Sequence, residues 1–373
     1  MEGTTAAAGR KPPVSLIMAN RNNARSLDLF FERLERNTGG YPSFEIVIVD
    51  DESTDASLKI LRRWRDSGRF RDFVLIERRH SGVMRSLNAA LDAAGGELIA
   101  AVDGDATMET PGWLDRMVAF HQSDPRIGTV TGAVELDSGE LQGYGMMLVC
   151  PEGPHGRGGR PTEPTGRRTA HELVANPRAD QARHLLVPAE VDSALGPCML
   201  YSRRLAMEIG GYDPGFSPVW FDDLDFSIAA RRLGLKNFFV PVRVIHWIGL
   251  RHSRDGAGRL EPVRASVRAA GAKALPAGAK RWIWRAMRKD RIPPERWARY
   301  RHHYAYWREK WGWDFVNPDM DEVLRRWGDT EICWAYDAGM TAAGQDILRR
   351  WNAAPEGRSG SARGRPETRE ATS

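Results

Sequence analysis

Residues Glu97–Met108 read ELIAAVDGDATM. The apolar run Leu98–Val102 goes straight into Asp103-Gly104-Asp105, after which the chain turns polar. Asp and Gly are common turn residues, so the triplet on its own fits a plain strand end. A chemical reading fits it as well. Asp103 and Asp105 stand at alternate positions of a strand, and Gly104 lets a ligand come close to the backbone. Hard oxygen ligands of this kind suit Mg2+ or Mn2+ carrying a diphosphate. The surroundings have to decide.

Upstream, apolar runs alternate with helical spacing. VSLIMA (14–19), FEIVIVDD (44–51) and DFVLIER (72–78) are β-rich, and NARSLDLFFERLER, STDASLKILRRWRDS and GVMRSLNAALDAAG follow them in turn. This alternation predicts an α/β fold with a doubly wound, mostly parallel sheet covered on both faces. Such sheets bind ligands beyond the carboxyl ends of their strands. The residues after the four strands are Asn20-Arg21, Asp50-Asp51-Glu52-Ser53, Arg78-Arg79 and Asp103-Gly104-Asp105, which predicts one polar rim. Asp50 and Asp51 also fit a helix N-cap cluster with Ser53 and Thr54, and the two roles are compatible.

Downstream, residues 139–190 include PEGPHGRGGRPTEPTGRRTA and read as a long loop or insertion, of the kind that forms a lid or binding surface. VDSALGPCMLYSRRLAMEIGGYD predicts a strand, a short helix and a Gly-Gly stop. FDDLDFSIAARRLGL predicts a helix with an acidic first turn closed by Gly234, and NFFVPVRVIHWI a further strand. Asp222 and Asp225, three apart, share a helical face that Asp223 does not.

The chain has 373 residues, 42% of them hydrophobic, enough for one large domain or two ordinary ones. No stretch approaches the roughly 18 apolar residues of a membrane span, and MEGTTAAAGRKPP lacks the apolar run of a secretory signal. Cys150, Cys198 and Cys333 form neither a zinc pattern nor a disulfide framework, so a reducing cytoplasm is the expected setting. The net charge of +5 is uneven: residues 251–310 hold seventeen Lys and Arg against five Asp and Glu. A basic segment fits an anionic partner or simply a solvated Arg-rich face.

Nine of the thirteen Trp residues lie between 282 and 351. The spacing of Tyr304, Trp307 and Trp311 predicts a helix whose apolar face docks on the main domain. The division expected is a disordered start (1–12), a main domain (13–250), a basic, Trp-rich helical extension (251–352) and a disordered tail (353–373).

In order along the chain, LIMANRNNARSL, VIVDDESTD, RRHSGVMRSLNAALDAAGGELIAAVDGDA, GPCMLYSRRLAMEIGGYDPGF and WFDDLDFSIAARRLGLK followed by VIHW resemble the motifs of the family 2 glycosyltransferases. The resemblance covers roughly residues 13–250. It implies the GT-A fold and transfer of a sugar, with inversion, from a nucleotide-diphosphate sugar to an acceptor hydroxyl, assisted by Mn2+ or Mg2+.

Residue by residue, it implies that Asp105 ligates the metal and that Asp103 contacts the ribose or the metal-bound water, with His246 completing the metal site. The nucleotide would lie against Asn20, Arg21, Asp50, Asp51, Ser53 and Gly104, with Arg85 and Asn88 reaching the donor from the preceding helix. The family's general base falls on Asp223. Its partner Asp222 stands where the family more often has Glu, which leaves the choice of base between the two. The Arg-, Ala- and Gly-rich composition resembles proteins of high-GC bacteria, where such enzymes build cell-envelope polymers or glycosylated natural products. The basic segment would suit an anionic acceptor at the inner membrane face.

Two other readings stand beside this one. A sugar nucleotidyltransferase shares the architecture but carries a Gly-rich phosphate loop after the first strand, and MANRNNARSL has no glycine. A nucleic-acid-binding protein is suggested by the basic segment alone, which lies outside the rim.

Overall fold

The structure is a computed structural model that describes residues 11–139, 141–149, 169–172, 187–247, 294–312 and 341–354. The first half alternates as the sequence pattern requires: β1 (Val14–Asn20), α1 (Leu27–Thr38), β2 (Phe44–Asp51), α2 (Ser57–Asp66), β3 (Asp72–Arg78), α3 (Val83–Ala93) and β4 (Leu98–Val102). Then come β5 (Ala106–Met108), α4 (Trp113–His121), β6 (Ile127–Leu136), β7 (Leu141–Gly143), β8 (Met146–Val149), β9 (Thr169–Glu172), β10 (Ala189–Val191) and β11 (Cys198–Ser202). The chain continues with α5 (Arg203–Ile209), α6 (Asp222–Arg232), β12 (Lys236–His246), α7 (Pro294–Trp311) and α8 (Ala342–Ala353).

Among the described residues, ten strands form one sheet in the order β10-β12-β6-β11-β4-β1-β2-β3, with β5 on β12 and β7 on β6. The pairs β3-β2, β2-β1, β1-β4 and β6-β12 are parallel. Strand β11 runs antiparallel between β4 and β6, a reversal that the βαβ rhythm of the first hundred residues does not extend to.

The strands are apolar at consecutive positions because both faces are covered. Leu16, Met18, Ile46, Ile48, Ala100 and Val102 face α1, α2, α4 and α8. Ile17, Val47, Val49, Ile99 and Ala101 face α3, α5, α6 and α7. Helix α5 stops at Gly210 and Gly211, whose φ of 83° and 76° lie in the left-handed region that glycine enters without strain.

Of residues 139–190, read as a loop or insertion, 140, 150–168 and 173–186 lie outside the described residues, and the described remainder includes strands. The segment contributes β7 and β10 to the main sheet, and β8 pairs with β9 in a separate two-stranded sheet. Its short strands are interrupted by Gly and Pro, so period-2 patterning is too brief there to register. Residues 1–10 and 355–373, expected to be disordered, lie outside the described residues, as do 248–293 and 313–340 of the basic extension.

Helix α7 buries Trp307 completely, with Trp311 at 8% exposure, against Phe216, Phe221 and Leu224. Among the described residues, no helix is long and apolar enough to cross a membrane.

Candidate active site

The strand β4 delivers Asp103 and Asp105 to the carboxyl rim of the sheet, and β12 returns to meet them. The antiparallel register of β5 and β12 sets His246 opposite Ala106. The Trp247 N–H donates to the Asp105 carbonyl at 2.7 Å, and Trp247 Nε1 donates to Thr107 Oγ1 at 2.9 Å. His246 Nε2 thereby lies 3.3 Å from Asp105 Oδ1. One ligand atom each from Asp103, Asp105 and His246 fall within 4.8 Å of one another.

On its far side, His246 Nδ1 lies 2.9 Å from Gln142 Oε1. With that oxygen accepting, Nδ1 carries the ring hydrogen and Nε2 keeps its lone pair toward the carboxylates. Two carboxylate oxygens and one imidazole nitrogen form a donor set that suits a hard, octahedral divalent ion, with positions left over for phosphate oxygens.

Gly104 also lies close to the chain's own side chains. A Cβ there would sit 2.7 Å from Asn23 Nδ2 and 3.2 Å from Met18 Sδ, so the chain's own packing fills the space. The Gly104 carbonyl accepts from Ser26 Oγ at 2.8 Å, tying the acidic turn to the start of α1.

The ends of β1 and β2 form a hydrogen-bonded platform next to this cluster. Buried Asn20 donates from Nδ2 to Asp50 Oδ2 at 2.7 Å and to Ser53 Oγ at 3.2 Å. Asp50 Oδ1 also accepts from the Ser53 N–H, three residues on, at 3.0 Å. The cap expected from Ser53 and Thr54 is not formed: α2 starts later, and Asp55 Oδ1 accepts from the Ser57 N–H at 2.9 Å.

Asp51 accepts from the Ser81 N–H at 2.7 Å and the Gly82 N–H at 3.0 Å, and His80 Nδ1 lies 2.6 Å away. Burial alone would raise the Asp51 carboxyl, but these three partners outweigh it and hold it below the usual carboxylate range. Arg21 follows β1 on the same rim, with its Nε buried and unpartnered among the described residues.

Arg85 is exposed on α3, and its carbonyl accepts from Arg78 Nη1. Asn88 has partners within the chain. Its Nδ2 donates to the Tyr212 carbonyl at 2.7 Å, and its Oδ1 accepts from the Tyr212 N–H at 2.8 Å. The amide mimics a strand partner for the Gly-Gly-Tyr-Asp segment, and both of its polar atoms are used there.

The acidic motif approaches from the other side. The turn before β11 joins the two halves: the Pro197 carbonyl accepts from the Asp103 N–H at 3.3 Å, and the Gly196 N–H donates to Asp223 Oδ2 at 2.9 Å. Asp223 Oδ1 accepts from the Leu224 N–H at 2.8 Å. Burial pushes the Asp223 carboxyl up to about 6 against these two hydrogen bonds, with Asp103 adding repulsion. Burial, then Asp223 and Asp103, push Asp222 well above the usual range.

Asp225 is engaged elsewhere. Lys310 Nζ lies 2.8 Å from its Oδ2, and Trp311 Nε1 donates to its Oδ1 at 2.9 Å. Just before Asp222, Trp220 and Phe221 have φ of 77° and 71°. Bulky L-residues avoid this region, and each such residue costs roughly 1–3 kcal/mol.

A family model described as glycosyl transferase family 2 matches residues 15–210, more than half of the chain. The chain belongs to this family. Its fold is the GT-A fold expected from the motifs.

The curated relatives include uncharacterized protein y4gI of Sinorhizobium fredii, 25% identical over 87% of this chain and 30% of that protein. Another is the putative glycosyltransferase EpsE of Bacillus subtilis, 30% identical over 38% of this chain and 50% of that protein. The chain thus spans half or less of the length of these two relatives. Among solved structures, mannosyltransferase PcManGT of Pyrobaculum calidifontis, in complex with GDP-Man and Mn2+, superposes with a TM-score of 0.44 at 19% identity, covering 81% of this chain and 88% of that one.

Motif reading missed four residues that support the site. His80 sits in the quoted RRHSG, but nothing local marks it as a partner of Asp51. Gln142 lies in the segment read as a loop, and Gly196 is a turn residue whose N–H, not its side chain, does the holding. Lys310 belongs to the positive charge counted in residues 251–310, and only the fold reveals that it faces two acidic residues, Asp213 and Asp225.

Proposed function

We propose that this chain transfers a sugar from a nucleotide-diphosphate sugar to an acceptor hydroxyl with inversion. Asp103, Asp105 and His246 would hold a divalent cation, Mn2+ or Mg2+, and Asp223 would act as general base. The observation that carries the reading is the convergence of two acidic sites across one turn, Pro197 on the Asp103 backbone and Gly196 on the Asp223 carboxylate, in a family 2 member. When bound, the cation supplies Lewis-acid neutralisation of the departing diphosphate.

The residues of the chain account for the remainder. The Asp50–Asp51 platform and Arg21 orient the nucleotide beside the acidic strand end. The acceptor oxygen bonds to the anomeric carbon as that carbon's bond to the diphosphate oxygen breaks, and the acceptor proton passes to Asp223. A carboxylate of about 6 is ionised at neutral pH and basic enough to take it. Asp222, whose carboxyl is pushed up by burial and by Asp223 and Asp103, is the weaker candidate for base. One displacement inverts the anomeric centre, and no second carboxylate nucleophile is needed.

The acceptor is a hydroxyl compound, with a saccharide, a lipid-linked phosphate or a natural product as the candidate classes. The reading is tested by thermal shift with a panel of nucleoside diphosphates, with and without Mn2+. The expected result is stabilisation by one nucleotide only when Mn2+ is present, followed by Mn2+-dependent hydrolysis of the matching nucleotide sugar. Neither stabilisation nor hydrolysis with any donor would overturn it.

A further inference from the structure

The helix α7 reaches the acidic motif with more than apolar packing. Lys310 Nζ lies 2.6 Å from Asp213 Oδ2 and 2.8 Å from Asp225 Oδ2, so one ammonium joins the Gly-Gly-Tyr-Asp segment to the first turns of α6. Trp311 Nε1 takes the other Asp225 oxygen at 2.9 Å, and Tyr306 Oη donates to Asp213 Oδ2 at 3.0 Å. Asp225 is 4% exposed, and a carboxylate buried that deeply is tolerated only with such partners.

The same helix holds the strained entry to α6. The Phe221 ring lies 5.8 Å from Phe216, 5.3 Å from Tyr304 and 6.1 Å from Trp307, centroid to centroid. The Phe221 carbonyl accepts from the Asp225 N–H at 2.8 Å, so the left-handed residue and the braced carboxylate close one helical turn. Asp222, Asp223 and Leu224 are the three residues inside that turn.

We propose that Lys310, with Trp311, is a positioning device for the acidic motif: by clamping Asp225 to Asp213 it fixes the turn that aims Asp222 and Asp223 at the acceptor. The inference rests on the glycosyl-transfer reading above. It assigns the C-terminal helix a share in the turnover rate, although the ion pairs of Lys310 among the described residues are with Asp213 and Asp225, outside the cluster of Asp103, Asp105 and His246. A helix that merely covered apolar surface would need Trp307 but not a cation shared by two carboxylates.

The test uses the full-length chain with the nucleotide sugar and Mn2+ that the wild type accepts. Lys310→Met is expected to lower kcat about 10- to 100-fold, the loss typical of a reacting group displaced by an ångström or less. Donor KM and the Mn2+-dependent thermal shift should stay unchanged. Lys310→Arg should recover most of kcat, because a guanidinium spans both carboxylates.

The double variant Lys310→Met with Asp225→Asn should lose no more than the worse single variant, because both act on one contact. If Lys310→Met does not fold, Trp311→Phe removes one N–H and keeps a ring, and carries the same expectation at a smaller loss. Wild-type kcat in Lys310→Met, or in Trp311→Phe when that stands in for it, overturns the positioning role alone, as does additive loss in the double variant. A wild type without any donor hydrolysis overturns the underlying reading and this role with it.

Discussion

His246 Nε2 lies 3.3 Å from Asp105 Oδ1, and the backbone holds the pair together: the Trp247 N–H donates to the Asp105 carbonyl. The approach therefore survives removal of either side chain, and substitutions here read out the ligands without dismantling the strands. Asp105→Ala should abolish Mn2+ binding by the protein, measured by titration against free Mn2+, and His246→Ala should weaken it. Gln142→Leu, which frees the ring to turn and to change tautomer, should weaken Mn2+ binding about 10- to 100-fold. Unchanged Mn2+ titration in Asp105→Ala would remove the metal assignment.

Asp223→Asn keeps the shape of the side chain and one acceptor oxygen, enough for the Gly196 N–H at the expense of the local Leu224 N–H, but cannot take a proton. It should lose about 10²- to 10⁴-fold in kcat, the usual worth of a general base, at unchanged nucleotide–Mn2+ affinity. In the wild type, protonation below about 6 removes the base, so kcat/KM should fall as pH drops through that value and level off above it. Asp222→Asn is the comparison. An inactive Asp222→Asn beside an active Asp223→Asn would exchange the roles.

The strand ends and the acidic helix were legible because each is a local pattern. Four apolar runs ending in Asn20, Asp50, Arg78 and Asp103 can be read residue by residue, and the family motifs place His246 and Asp223 in order. What could not be read depends on pairing across the chain. Nothing local says that β11 enters the sheet antiparallel between β4 and β6, or that Asn88 faces the Tyr212 backbone. Gly104 was read as room for a ligand. Its close neighbour Asn23, in the loop after β1, is invisible until the strands are side by side. The spacing of Tyr304, Trp307 and Trp311 pointed to a buried face, but the partner of Lys310 on that same helix is set by docking alone.

Asn88 supplies a prediction about stability. Asn88→Ala leaves the N–H and the carbonyl of buried Tyr212 without the amide that now satisfies both. Two unmet buried groups cost about 2–4 kcal/mol together, so the urea midpoint should fall accordingly. Nucleotide affinity, measured where the variant is still folded, should be unchanged. An unaltered midpoint with weakened nucleotide binding would return Asn88 to the donor site.

His121, in the last turn of α4, links stability to pH. Burial pushes its imidazole from 6.5 down to about 4, against a hydrogen bond to the Gly128 backbone that favours the charged ring. The folded protein therefore holds this ring neutral between about 4 and 6.5, where the unfolded chain protonates it. Stability from this group is intact above about 6.5 and is lost progressively as pH falls through that window, because the unfolded state takes up the proton first. Each unit of pKa difference corresponds to about 1.4 kcal/mol, so urea unfolding at pH 7 and pH 4.5 should reveal a loss of about 2 kcal/mol in the wild type that His121→Gln lacks. The glutamine keeps a donor for Gly128 and carries no charge at either pH. Other titrating groups act equally in both proteins, so the comparison isolates His121. Parallel stability curves for the two proteins would mean that the folded state accommodates the protonated ring, and that α4 packs more loosely around it than its burial implies.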